Sequence, residues 1–144
     1  MRLHAQRTIL RPAEDVADFF FDVTNNPSWQ GGMRRCEWTT GSPVEVGSIY
    51  EQEARFLGRP VISTFRVVDL VPSRLMRIET IEGTFPITVT RTVEPVDAGT
   101  TRVSAEIVGS PGGLLGMIAP LTRRFAQRSV DSDYDRLVEV LSSR

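Results

Sequence analysis

The chain has 144 residues, 40% of them apolar and 24% charged, the make-up of an ordinary globular protein, which excludes a disordered polymer or a repeat array. Its basic residues are all arginine, yet 17 of them against 18 acidic residues leave a formal net charge of -1, so there is no electrostatic footprint for nucleic acid. That length supports one substantial core, and residues 1–144 read as a single domain.

Leu3 to Leu10 alternates loosely, as a strand does, and then meets Pro12, which opens a helix where its missing N–H costs nothing. In that helix Val16, Phe19, Phe20 and Val23 fall at helical spacing, while Glu14 and Asp15 place negative charge at its positive N-terminal end. Thr24-Asn25-Asn26-Pro27-Ser28-Trp29 breaks the helix and starts a second, short one, which Gly31-Gly32 ends. From Met33 onward β-branched and aromatic runs alternate with turn signals, which predicts six antiparallel strands near 33–40, 48–57, 60–71, 74–81, 86–95 and 101–109. Beyond Gly109-Ser110-Pro111-Gly112-Gly113 the period returns to helical through Leu114, Ile118, Leu121 and Phe125, then Val130, Tyr134, Leu137 and Leu141. This predicts a helix of roughly 28 residues, about 42 Å long, with a kink at Pro120.

Cys36 is the only cysteine, so an internal disulfide is excluded and a buried thiol in a reducing cytoplasm is expected. Met1 to Arg7 lacks the apolar run of a secretory signal. The longest apolar stretch, Gly112 to Leu121, is about half the ~20 residues that span a bilayer. A cytoplasmic protein without a transmembrane helix is the expectation.

Several short motifs occur in a characteristic order: Pro12-Ala13-Glu14-Asp15-Val16, Asp22 to Pro27-Ser28-Trp29, and Val46-Gly47-Ser48. They continue with Val67-Val68-Asp69-Leu70-Val71-Pro72-Ser73-Arg74-Leu75 and Val93-Glu94-Pro95 to Gly99-Thr100-Thr101-Arg102-Val103. Together they resemble the START-like, or SRPBCC, superfamily, and more narrowly its polyketide cyclase/dehydrase and lipid-transport branch, over essentially the whole chain. The resemblance implies an α+β helix-grip fold. A curved antiparallel sheet of about seven strands would wrap a long C-terminal helix, with two short helices after the first strand and a cavity between. Members bind lipids, sterols, polyketides, quinones or plant hormones, and some catalyse cyclisation or dehydration.

Residues for such a cavity follow from strand alternation. With the apolar register inward, Tyr50, Gln52, Ala54 and Phe56 face the concave side. On the strand from Ile87 to Val93, Ile87, Val89 and Val93 share one face that Arg91 alone interrupts. A lone arginine there needs a partner, either Glu79 or Glu106 across the sheet or an anionic or carbonyl group of a ligand. Trp29 is expected to pack the short helix on the sheet and form part of the wall, and Phe65, Leu121 and Phe125 to serve core and cavity at once. His4, the only histidine, lies on the first strand, away from the cavity, and Asp131, Asp133 and Asp135 read as a solvated helix face with Arg124, Arg128 and Arg136. No metal-ligand spacing, nucleophile triad or nucleotide loop is present, so no metal or cofactor is expected and no catalytic residue is assigned. The glycine-rich run from Gly109 to Gly116 reads as a hinge, or as a lid carrying Leu114, Leu115 and Met117.

The leading expectation is a binder of a hydrophobic small molecule, a lipid, quinone or polyketide. A polyketide cyclase or dehydratase using Arg91, Tyr50 or Gln52 is the alternative, a protein-interaction module without a ligand is the third, and a homodimer stays open.

Overall fold

The computed structural model describes all residues except 57, 84, 85 and 110–119 and, within the terminal helix, the side chains of 120–122. Strand β1 (Arg2–Ile9) is followed by helix α1 (Ala13–Phe20) and a 3₁₀ segment (Val23–Ser28). Strands β2 (Met33–Trp38), β3 (Ile49–Phe56), β4 (Arg59–Val71), β5 (Leu75–Glu82), β6 (Ile87–Asp97) and β7 (Thr100–Gly109) come next, and helix α2 (Pro120–Ser142) ends the fold. This is the expected α+β order. The helix's expected start at Leu114 and the hinge or lid fall outside the described residues, and the kink at Pro120 lies at their edge.

The seven strands form one antiparallel sheet in the order β1-β7-β6-β5-β4-β3-β2. The chain therefore begins at one edge, crosses through α1 and the 3₁₀ segment to the other, and meanders back until β7 pairs with β1. Register shifts in β2, β4 and β6 mark irregularities of the kind that bend a sheet. Tyr50, Phe65, Val67, Met76, Ile78, Val93 and Val103 are buried on the concave face, as period-two alternation requires.

Helix α2 packs along β1, joined to it by Arg7–Asp135 at 2.8 Å and by Gln127 Nε2 donating to the His4 carbonyl at 2.7 Å. Its stripe of Tyr134, Leu137 and Leu141 is buried against Ala5, Ile9, Phe20, Val93 and Val103. Each such side chain contributes about 1.5–3 kcal/mol by leaving water. A second cluster, with Val23, Cys36, Tyr50, Phe65, Val67 and Met76, fills the β2–β5 side.

Phe125 does not join the stripe and is 65% exposed. Val130 lies five positions further on, and at 100° per residue that offset turns the Phe125 side chain by about 140° from the buried face. The aspartates also depart from a uniformly solvated face. Asp131 and Asp135 pair with Arg7, whereas the Asp133 side chain is only 16% exposed.

Candidate functional site

Between the two core clusters a cavity of about 110 Å³ remains, partly open to the outside, with Tyr50, Gln52, Phe65, Val89 and Arg91 in its wall. Strand alternation brings these five predicted residues together from β3, β4 and β6. Trp29 is fully buried and closes the structure behind Arg91, 5.1 Å from Tyr134 ring to ring. The register that turns Tyr50 and Gln52 inward also aims Phe56 that way. However, Phe56 stands opposite Arg59 at the hairpin end of β3, past the cavity, and is 45% exposed. Phe125 is outside the cavity wall for the helical reason given above, and the side chain of Leu121 lies outside the described residues.

Arg91 is the exceptional residue, 3% exposed in a central strand opposite Met76 and Ala105. Neither Glu79 nor Glu106 is its partner. They stand opposite Thr88 and Thr90, one position out of phase, and so belong to the outer face, where Glu106 meets Arg2 at 3.5 Å. Instead Arg91 Nη1 donates to the Phe20 carbonyl at 2.7 Å and to Asn26 Oδ1 at 3.1 Å. Its guanidinium carbon lies 4.9 Å from the centre of the Phe20 ring and 5.1 Å from that of Trp29.

Burying an ion costs several kcal/mol even after relaxation. Two hydrogen bonds from a charged donor return roughly 1.5–3 kcal/mol each. Two aromatic faces add up to about 2 kcal/mol each when desolvated. The protein can therefore hold this cation without a counter-ion. Among the described residues none is supplied: Asp133, which shares the cavity, pairs with Arg136 at 3.5 Å and accepts the Gly31 N–H at 2.8 Å.

The loop after the 3₁₀ segment sets this geometry. Gly32 has φ of 77°, and a Cβ there would sit 3.0 Å from the Arg55 carbonyl oxygen. Its own carbonyl accepts the Arg55 N–H at 2.8 Å, which ties the loop to β3 while Gly31 ties it to α2. Asn26, in the 3₁₀ segment before that loop, links Arg91 to Cys36 through Nδ2 to Sγ at 3.7 Å, and the Cys36 thiol faces Gln52 Oε1 at 3.9 Å.

Burial sets the protonation states. Desolvation pushes the Tyr134 hydroxyl up to about 12, against the lowering effects of the Arg91 charge and of the hydrogen bond between Arg91 and this hydroxyl, and it raises Tyr50 in the same direction. The Cys36 thiol rises to about 11 for the same reason, opposed by its hydrogen bond from Asn26 and by Arg91. None of these groups is poised as a base near neutrality.

Among the described residues three buried polar side-chain atoms have no hydrogen-bond partner, and all belong to this neighbourhood: Arg91 Nε, Trp29 Nε1 and Gln30 Oε1. A wider open groove of about 410 Å³, with Phe21, Trp38, Val44, Leu70 and Met76 in its wall, has no such atom among its described residues. Asn26, Gln30, Asp133 and Tyr134 were not anticipated as cavity residues. Tyr134 was legible only as part of the helical stripe, and Asn26 only as a helix breaker.

The sequence matches the family described as polyketide cyclase / dehydrase and lipid transport over residues 1–142. The chain belongs to that family. Solved structures agree on the fold of this polyketide cyclase/dehydrase family member. A START superfamily protein from Mycobacterium smegmatis superposes with a TM-score of 0.84 at 12% identity, covering 99% of this chain and 97% of the other. A protein from Thermus thermophilus gives 0.79 at 19% identity, covering 98% and 97%. The Zhui aromatase/cyclase from Streptomyces sp. R1128 gives 0.76 at 15% identity, covering 98% and 93%. No curated protein matches the sequence. The family and the helix-grip fold are as the motifs implied, and no helix among the described residues is long and apolar enough to cross a membrane.

Proposed function

We propose that this protein binds a hydrophobic small molecule in the cavity between the concave sheet face and α2. The observation that carries the reading is a gap of about 110 Å³ left in an otherwise packed core, walled by apolar side chains and by one buried cation. Binding of this kind needs a shaped apolar space and few orienting polar groups, and it needs no base or nucleophile near neutral pH. Pockets for drug-sized ligands run from ~300 Å³ upward, so this space suits a head group or a small ring, with the rest of a larger ligand extending out of the opening. The unpaired Cys36 fits a reducing compartment such as the cytoplasm. Native mass spectrometry of the purified protein, with a thermal-shift screen of lipids, quinones and aromatic polyketides, tests the reading. A retained adduct or a raised Tm with one class is expected, and no response to any class would overturn it.

A cyclase or dehydratase is the second reading, favoured by the convergence of Arg91, Tyr50 and Gln52 on one cavity. Arg91 would polarise a ketone oxygen of a poly-β-ketone there. Turnover of such a substrate that survives Arg91→Ala unchanged would exclude that role.

A further inference from the structure

We infer that the cavity selects for a ligand carrying a carboxylate, seated on Arg91, with its apolar body toward Ile87, Val89 and Ile107. The inference rests on the binding reading above and names the chemistry of its ligand.

Arg91 brings a positive charge to a wall otherwise made mostly of hydrocarbon, and among the described residues it has no counter-ion. Its guanidinium is bonded to the Phe20 carbonyl, Asn26 and the Tyr134 hydroxyl, all neutral, whereas its Nε–H is buried with no acceptor among the described residues. A second donor in the same state, the indole N–H of Trp29, belongs to the ring stacked 5.1 Å from the guanidinium. A buried charged donor in the cavity wall without an acceptor calls for an anionic oxygen, because charge-assisted bonds are the strongest and a guanidinium edge matches a carboxylate in shape. Gln30 lines the cavity with an unpartnered amide oxygen, and a half-turn of that amide presents its NH₂ group to the same space.

The size and the remaining charge narrow the class. The space of about 110 Å³ admits a head group and little more. Asp133 also faces it, so a dianion such as a phosphate monoester would meet a carboxylate, while a monoanion balances Arg91.

The test compares acids with alcohols of the same chain length: hexanoate, dodecanoate and palmitate against hexanol, dodecanol and hexadecanol. Calorimetry measures affinity, and the two indole N–H resonances, from Trp29 and Trp38, report the site. The wild-type protein is expected to bind the acids at least about tenfold tighter than the alcohols. The Trp29 indole signal should move with the acid and little with the alcohol. Arg91→Met is expected to remove the preference while still taking up alcohols, and Arg91→Lys to keep part of it, since the charge remains and the planar fork is lost. Alcohols that bind wild type as tightly as acids would overturn the carboxylate inference and leave the apolar-binding reading standing. Binding of neither series, together with a negative ligand screen, would overturn both. If Arg91→Met failed to fold, the acid–alcohol comparison on wild type and Arg91→Lys would still decide.

Discussion

The guanidinium of Arg91 donates a 2.7 Å hydrogen bond to the carbonyl of Phe20, the last residue of α1 and 71 positions away in sequence. That carbonyl is one of the orphan acceptors of a helix C-terminus, where the peptide dipoles concentrate partial negative charge. The helix end thus does part of the work of a carboxylate, and the bond joins α1 to the middle of the sheet. Removing the charge has opposed consequences. The Phe20 carbonyl and Asn26 lose a donor, at about 1–3 kcal/mol for each acceptor left unsatisfied, while the desolvation cost of several kcal/mol disappears.

Arg91→Met, which keeps most of the volume, is therefore expected to unfold in urea within about 2 kcal/mol of the wild type. Arg91→Ala leaves a void as well and should fall about 2–5 kcal/mol below Arg91→Met. Equal losses for the two variants would mean that the void costs little, because the site collapses or takes up water.

Both tyrosines of the chain, Tyr50 and Tyr134, are buried, and burial raises both hydroxyls. The sign follows from linkage. The unfolded chain ionises its tyrosines near pH 10, while the folded one keeps the proton, to about 12 at Tyr134. Stability is thus unaffected below about pH 10 and lost as pH rises through the interval above it. An ultraviolet titration should show no native phenolate at pH 10, and both rings should ionise together with the loss of near-ultraviolet circular dichroism. A tyrosine titrating at its ordinary value in a protein that keeps its native spectrum would contradict the packing of that ring.

Much of this fold was open to sequence reasoning because its signals are local. Alternation in β3 put Tyr50 and Gln52 in the cavity wall, and alternation in β6 singled out Arg91. Phe56 shows where that logic stops: periodicity gives the face of a strand but not where along it the cavity ends. Phe125 shows the same for a helix, where a five-residue gap in the apolar spacing breaks the stripe. The partners of Arg91 were beyond reach for another reason. A backbone carbonyl at a helix end has no residue type to betray it, and Asn26 comes near β6 only once the helical crossing is folded against the sheet. Asp133 read as solvated because its spacing matched Asp131 and Asp135, yet its Oδ1 accepts the N–H of Gly31, 102 residues away.

Cys36 is 4% exposed, and its thiol is held up at about 11. At pH 8 roughly one native molecule in a thousand would carry the thiolate, far fewer than for an ordinary cysteine. A disulfide reagent such as Ellman's should label the unfolded protein at once and the native protein only at the rate at which the β2–β3 region opens. Stoichiometric labelling of native protein at the rate of a free thiol would contradict the burial of Cys36 in the β2–β5 cluster.

Asp133 offers a test of the electrostatics beside the cavity, where Arg91, Tyr134 and Asp133 face the same space and Arg136 stands outside it. Its carboxyl is raised above the ordinary range because burial outweighs the Gly31 N–H and the Arg136 ion pair, both of which lower it. The folded state therefore holds this proton more tightly than the unfolded chain does. Its stabilising contribution is complete below the unfolded value near 3.9 and declines as pH rises through the folded value. Asp133→Asn keeps an acceptor for the Gly31 N–H but removes the titration. Urea midpoints of the two proteins should thus diverge in one direction: the wild type loses ground to Asp133→Asn as pH rises from 3 toward neutrality, and the difference then levels off. If the wild type gained on the variant over that range, the Arg136 pair would outweigh burial, and Asp133 would be a stabilising anion at the cavity wall.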